Sequence, residues 1–378
     1  MTDVIILGRS RSSTDLALIR CMGNAGYGVV GYFIREMKFV LKSRYLTKYF
    51  LFDSVKEAVD ALLRDYPVSE DRPFLMLGWD VAAYEISLRQ NEFEKRFVVS
   101  SLGKQNQVAF WMDKRNQMDL AKKHGLNVPW MKVLSKGDAV PEGMEYPVFT
   151  KGLVSAIDVK NDEAISYCEE DLRKRLDNLK CDRCFVMPYI RKKKEINFFG
   201  FAVKGRVYID YRDCADRFPK DAYGNYATFS LAPHDELHAR LVEMIKEMDY
   251  EGLFEIEFLL DQDEEMNFME INLRADSFIW CLTAGQNQPA LWCRLMQLPE
   301  EQLPDKLDTG RKRFTGMVEE RDFREAVLGG QISVIKWLWQ FLTAKRHQIV
   351  NLKDPLPAIW YVAEMLDRRK RIKALQKR

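Results

Sequence analysis

Residues 252–274 read GLFEIEFLLDQDEEMNFMEINLR, two apolar segments of strand length joined by an acidic connection. In the first, Phe254, Ile256, Phe258 and Leu260 alternate with Glu255 and Glu257, the period of two of a pleated strand. In the second, Phe268, Glu270, Asn272 and Arg274 share a face by the same period. The two segments read as a β-hairpin. A carboxylate, an amide and a guanidinium on one face are expensive to bury unsatisfied. Set opposite Glu257, they suit a hard cation beside an anion. Magnesium takes oxygen ligands and shares one or two carboxylates with substrate phosphates. Asn272 supplies a neutral oxygen, and Arg274 holds a phosphate or a developing oxyanion. The alternative is a solvated hairpin face with a cross-strand salt bridge.

Towards the N-terminus, DVIILG (3–8) is a short apolar run ending in glycine, the pattern of a buried parallel strand. A helical stretch from Asp15 to Asn24 follows, then a strand GVVGYF (28–33), and FLMLGWD (74–80) and RFVVS (96–100) add two more. This is the opening of a doubly wound sheet and predicts one small α/β domain over 1–103. The first loop, Gly8-Arg9-Ser10-Arg11-Ser12-Ser13, has one glycine where a dinucleotide fingerprint needs three. A nicotinamide oxidoreductase is disfavoured on that count, although Arg9, Arg11 and the loop amides can hold an anion.

Beyond this domain, residues 105–124 are helical in pattern, and WMKVL (130–134), YPVFTKG (146–152) and CFVMPYI (184–190) are strand-like, with a helical stretch over 161–180. INFFGFAV (196–203) and GRVYIDYR (205–212) predict a hairpin turning at Lys204-Gly205. A net charge of +2 in 378 residues does not suggest a nucleic-acid partner. No apolar stretch is long enough to span a bilayer, and the start of the chain lacks the features of a secretory signal, so the expected location is the cytosol. The seven scattered cysteines fit reduced thiols, and Cys181–Cys184 is a lone CxxC without a second pair at zinc spacing.

The hairpin resembles the signature of the ATP-grasp family: a strand with EF, here Ile256-Glu257-Phe258-Leu259, a turn, and EINxR, here Glu270-Ile271-Asn272-Leu273-Arg274. Leu273 stands where the familiar form has proline. The resemblance, which covers about residues 3–300, implies that Glu257, Glu270 and Asn272 bind magnesium, with manganese as an allowed substitute, and that Arg274 faces phosphate and substrate. Three further stretches fall in the family's order. Asp113-Lys114 with Gly125-Leu126-Asn127-Val128-Pro129 is similar to the helix whose lysine contacts the nucleotide phosphates. Tyr146-Pro147-Val148-Phe149-Thr150-Lys151 is similar to the strand whose lysine reaches the α- and β-phosphates. Phe185-Val186-Met187-Pro188-Tyr189-Ile190 occupies the place of the adenine hinge, with Val186, Met187, Pro188 and Tyr189 as the contacting residues and Glu195 as the ribose partner. Two lysines and a metal site are what a triphosphate of about four negative charges needs.

The resemblance thus implies an α/β chain with a pre-grasp Rossmann-like domain (1–103) and an ATP-grasp domain (104–302) whose lid subdomain spans about 130–190; beyond it, the composition and pattern of 303–378 read as a C-terminal extension that is helical, tryptophan-rich and basic. Within the family, Lys42-Ser43-Arg44-Tyr45 and the loop 212–226 resemble carboxylate–amine ligases of the D-aspartate ligase and carbamoyl-phosphate-synthase-like type, with Arg217 as a further catalytic residue holding acyl-phosphate or carboxylate. The expected partners are a small carboxylate and an amine, such as an amino acid or a cell-envelope precursor. The loop after Lys151, KGLVSAIDVK, is poorer in glycine than the family's phosphate cradle, which motivates a rival reading: a nucleotide-binding protein with little turnover.

Two weaker signals remain. HDELH (234–238) spaces two histidines like a zinc helix but has Asp235 where a metalloprotease needs glutamate. The run VIKWLWQFLTAKRHQIV (334–350) and the seven basic residues from Arg368 to Arg378 read either as a helical cap with a solvated tail or as a peripheral contact with an anionic membrane. Nothing in the sequence encodes the oligomeric state.

Overall fold

The computed structural model describes residues 3–103, 106–154, 156, 163–217 and 224–375, with side chains through Arg368. Most of the glycine-poor loop after Lys151 and the centre of the loop before Tyr226 lie outside the described residues.

The first sheet is parallel, in the order β3 (Leu46–Phe52), β2 (Val29–Ile34), β1 (Val4–Arg9), β4 (Phe74–Leu77), β5 (Val98–Val99). The two faces of β1 feed two cores. Ile5 and Leu7 join Val30 and Tyr32 under the helix Val55–Asp65, while Val4 and Ile6 join Val29 and Phe33 under the helix Ser13–Asn24. Burial on both faces is why β1 and β2 read as unbroken apolar runs rather than alternating ones. Ser12 caps the first of these helices by accepting the Asp15 amide, and Ser54 caps the second by accepting that of Glu57.

A short strand, β6 (Ser101–Leu102), leaves this sheet and pairs with β14 (Glu251–Leu260) of a large sheet. Before it is reached, the chain builds a four-stranded antiparallel sheet from β7 (Lys132–Ser135), β8 (Val148–Gly152), β9 (Ala164–Ser166) and β10 (Arg183–Pro188), in the order β7-β10-β8-β9. One helix, Glu169–Asp177, packs Leu172 and Leu176 against Val148, Cys184 and Val186 to give this sheet a small core of its own. The stretch expected to be helical over 161–180 is therefore a strand and a shorter helix.

The large sheet is antiparallel through its main part: β15 (Met266–Asn272), β14 (Glu251–Leu260), β11 (Lys194–Val203), β12 (Arg206–Arg217), β13 (Tyr226–Leu231), β16 (Arg313–Met317) and β17 (Arg346–His347), the last pair being parallel. β11 and β12 turn at Lys204-Gly205, both at positive φ (49° and 76°), as the sequence pattern requires. β16 and β17 come from the segment read as helical, so residues beyond 303 contribute strands as well as helices. Buried Arg20 ties this segment to the N-terminus: its guanidinium donates to Asp354 Oδ2 at 2.9 Å and to the carbonyls of Gln348, Ile349 and Asp354.

Two weak sequence signals acquire structural explanations. Asp235 is the N-cap of the helix Glu236–Glu247, accepting the His238 amide at 2.9 Å, and His238 bonds the Ile209 carbonyl. Cys184 is buried in the core under the four-stranded sheet. Among the described residues no three histidine, cysteine or acidic side chains converge to hold a metal by themselves. Nor is any helix among them long and apolar enough to cross a membrane.

Candidate active site

One cleft of about 1090 Å³ runs between the four-stranded sheet, the large sheet and the carboxyl ends of the parallel strands. The crevice beyond the carboxyl ends of parallel strands is where doubly wound sheets place ligands. The hairpin β14–β15 supplies its acidic wall. Glu257 stands opposite Glu270 and Glu255 opposite Asn272 in the strand register. The register then slips between Glu257 and Phe258, so that Phe258 faces Phe268 and Met269 is the extra residue. This bulge changes one expectation. Phe268 does not share the face of Glu270; it is buried against Phe258 with ring centroids 5.8 Å apart, while Met269 and Glu270 line the cleft.

Lys114 and Lys151 approach Glu270 from different elements. Lys114 is the first residue of the helix Lys114–Lys123, capped by Asp113, and its ammonium lies 2.5 Å from Glu270 Oε2. Lys151 is on β8, and its ammonium lies 3.5 Å from the same oxygen. Burial opposes charge on Glu270, but the two ammonium groups prevail and hold its carboxyl down at about 2. Lys151 is the less comfortable cation: burial, then the charge of Lys114, lower it to about 8. Lys114 is raised despite its burial, because it faces Glu270 directly.

Glu257 is less fully neutralised. Burial, then repulsion by Glu270, push its carboxyl up to about 8, although Arg274 acts to lower it. Asn272 Nδ2 donates to Glu257 Oε1 at 2.5 Å and to Glu255 Oε2 at 3.1 Å. Arg274 donates to Asn272 Oδ1 at 2.8 Å and to Asp80 Oδ1 at 3.1 Å. The sequence reading passed over Glu255, Asp80, Asp213 and Asp276, all of which line the cleft. Glu255 and Asp213 are raised well above the ordinary carboxylate range, first by burial and then by Asp276. Asp80 carried a usable signal, since it closes FLMLGWD just past a parallel strand.

This donor set fits a divalent cation. Two carboxylates and an amide oxygen do not complete an octahedron, but magnesium habitually fills the remaining positions with water and phosphate oxygens. Glu257 is a buried carboxylate that its surroundings push towards neutrality, and a cation beside it would relieve both its desolvation and its repulsion from Glu270. Asn272 would have to turn its amide to offer the oxygen now bonded to Arg274.

At the other end of the cleft, Met187, Pro188, Tyr189 and Ile190 form the wall. Val186 is not part of it: its side chain lies in the core under the four-stranded sheet, and its backbone pairs with Lys132 and Thr150 on either side. Glu195 does line the cleft, held by Lys192 Nζ at 2.5 Å and by the Gly224 amide at 2.6 Å. Arg217 lies apart from the other site residues. It forms a two-pronged pair with Asp322 (2.8 and 2.6 Å), donates to Gln340 and stacks on Tyr226, and it does not line the cleft. The arginines that line the cleft besides Arg274 are instead Arg9, Arg11, Arg321, Arg324 and Arg368.

The fold is the ATP-grasp fold. Similar solved structures include an L-amino acid ligase from Bacillus licheniformis (TM-score 0.64, 11% identity, 83% of this chain and 79% of that one). An N5-carboxyaminoimidazole synthetase from Staphylococcus aureus matches with TM-score 0.63 and 14% identity over 87% of this chain and 86% of the other. The biotin carboxylase domain of a Hydrogenobacter thermophilus 2-oxoglutarate carboxylase, in complex with MgADP and bicarbonate, matches with TM-score 0.64 and 16% identity over 83% and 74%. No family model and no curated protein matches the sequence.

Proposed function

We propose that this chain is an ATP- and magnesium-dependent ligase that activates a carboxylate as an acyl-phosphate and couples it to an amine. The observation that carries this reading is the convergence of Lys114 and Lys151 on Glu270, beside Glu257, Asn272 and Arg274, within one cleft. A phosphate-binding pair of cations placed against a cation-binding pair of carboxylates fits a metal nucleotide better than either partner alone. The fold neighbours agree in kind, since one is an L-amino acid ligase and another holds MgADP and bicarbonate.

In this reading Met187–Ile190 receive the base, Glu195 the ribose, and Lys114 and Lys151 the phosphates. Glu257, Glu270 and Asn272 would hold magnesium, which when bound supplies charge neutralisation at the phosphates. A carboxylate oxygen of the acid attacks the γ-phosphorus, and the bond to the bridging oxygen breaks, releasing ADP. The amine nitrogen then attacks the acyl carbon, phosphate leaves, and the nitrogen loses a proton. Arg274, oriented by Asp80, sits where it can stabilise the oxyanion of that second addition. The four-stranded sheet, on its own small core, is the element suited to close over the nucleotide and keep water from the acyl-phosphate.

The test is ADP and phosphate release across a matrix of amino acids, hydroxy acids and sugar acids paired with amines. Release that needs both an acid and an amine, and is lost in Lys151→Met, supports the reading. Magnesium-dependent nucleotide binding without release from any pair points to a nucleotide-binding protein instead.

A further inference from the structure

From Ala326 through Lys353 the sequence has no acidic residue, while Lys336, Lys345, Arg346 and Lys353 fall within it. At its centre is the helix Val334–Thr343, capped by Ser333, in which no residue is buried. Its inner face is accounted for: Trp337 meets Phe323 edge-on and stacks on Phe341, which lies against His347. The outer face is Ile335, Leu338, Trp339 and Leu342, a stripe at i, i+3, i+4 and i+7, exposed by 81%, 48%, 67% and 76%.

A second helix, Leu356–Leu375, repeats the arrangement. Tyr361 packs on Phe39 and reaches Glu320, and Glu364 accepts the Lys38 and Phe39 amides, which fixes one face to the body of the protein. Leu356, Ile359, Trp360 and Leu366 are exposed on the rest of the helix, and Lys42 stands 4.3 Å over the Trp360 ring. From Arg368 onward the sequence adds seven basic residues and no acid.

We infer that these two helices form a docking surface for an anionic lipid bilayer. Large aliphatic side chains and tryptophans on an outer stripe, with lysine and arginine around them, are the chemistry of an interfacial helix. Charge decides the occupant. In a symmetric pair of copies each patch would meet itself, bringing these cations against their own equivalents with no acid between Ala326 and Lys353 to offset them and only Glu364, which is bound to the Lys38 and Phe39 amides, and Asp367 on the second helix. Anionic headgroups offset them at every position. The surface also has a relation to the cleft. On the second helix Tyr361, Met365 and Arg368 line the cleft, so docking would set its mouth about one helix diameter, roughly 10–12 Å, from the headgroups. An acid or amine carried on a lipid could then be reached without leaving the membrane.

The experiment is sedimentation of the full chain with large vesicles, either of phosphatidylcholine alone or with one third phosphatidylglycerol. It does not depend on catalysis, so its outcome is separate from that of the ligase reading. The chain is expected to sediment with the anionic vesicles at low salt and to be released as salt rises. Ile335→Glu with Trp339→Glu should lower the bound fraction about tenfold or more, with unchanged far-ultraviolet circular dichroism because both side chains are exposed. Trp339→Phe should keep binding but lose part of the fluorescence quenching produced by brominated lipid. Three results would overturn the inference: no sedimentation at low salt, equal binding to neutral vesicles, or a dimer in light scattering that the double variant dissociates while vesicles go unbound.

Discussion

The Lys114 ammonium lies 2.5 Å from Glu270 Oε2, with only 9% and 17% of the two side chains exposed. In the proposed reading, a residue for phosphate and a residue for magnesium neutralise each other, and a metal nucleotide would have to separate them. Glu270→Gln leaves Lys114 and Lys151 adjacent, buried and without their shared anion. Removing one partner of a buried pair costs about 3–5 kcal/mol. The variant should melt at a lower temperature than the parent. ATP should restore part of the loss with or without magnesium, whereas the parent should respond to ATP only with the metal. Differential scanning fluorimetry with ATP, with and without EDTA, measures both.

Lys151 predicts the opposite sign for stability. Its ammonium is lowered to about 8 by burial and by Lys114, so the folded chain pays for holding it charged at neutral pH. Lys151→Met removes that charge while Lys114 still pairs with Glu270. The variant should be as stable as the parent or more so, yet lose ADP release by about a hundredfold or more, the scale of losing a positioned electrostatic contact. A variant that loses both stability and activity would show that Lys151 is mainly a structural cation.

A pH effect follows from Asp15, which is fully buried behind the first loop. One carboxylate oxygen accepts the Arg9 amide at 2.7 Å and the other has no partner. Burial raises this carboxyl from 3.8 to about 6. The folded state thus keeps the proton longer than the unfolded state. Stability from this group is unaffected below about pH 4, declines as pH rises from 4 to 6, and stays reduced above 6, by about 3 kcal/mol at most. Asp15→Asn should flatten that part of the stability–pH curve, measured by urea unfolding of both proteins between pH 4 and 7.

The sequence showed β1, β2, β4 and β5 of the parallel sheet and both hairpins because their signals are local: unbroken apolar runs, a turn at Lys204-Gly205, and alternation around Glu257. Glu257, Glu270, Asn272, Arg274, Lys114 and Lys151 could be gathered into one site because their motifs, in chain order, resemble those of the ATP-grasp family. What escaped was decided by tertiary partners. The Met269 bulge breaks the period of two and sends Phe268 to the core. Val186 sits mid-sheet, where only the next residues reach the cleft. β16 is five residues long and becomes a strand by pairing with β13, which nothing in RFTGM announces. Glu255 looked like one more polar position of an alternating strand, yet its burial beside Glu257 makes it part of the acidic wall.

Arg217 is held in an ion pair away from the cleft lining, and it gives the last prediction. The end of β12 aims this side chain at Asp322, which is completely buried, and at Gln340 on the helix Val334–Thr343. Two parallel N–H···O bonds to a carboxylate and stacking on Tyr226 fix the guanidinium. Arg217→Ala leaves the Asp322 carboxylate buried without a cation, which should cost about 3–5 kcal/mol and loosen the segment 319–343. Arg217→Ala with Asp322→Ala should recover much of that loss, because no lone charge remains. A residue that held acyl-phosphate or carboxylate would behave differently: KM for the acid would rise in both variants whatever the stability. The expected result is a double-mutant cycle with strong coupling in urea unfolding and an unchanged KM for the acid in folded enzyme. A raised KM without a change in unfolding free energy would return Arg217 to the substrate site.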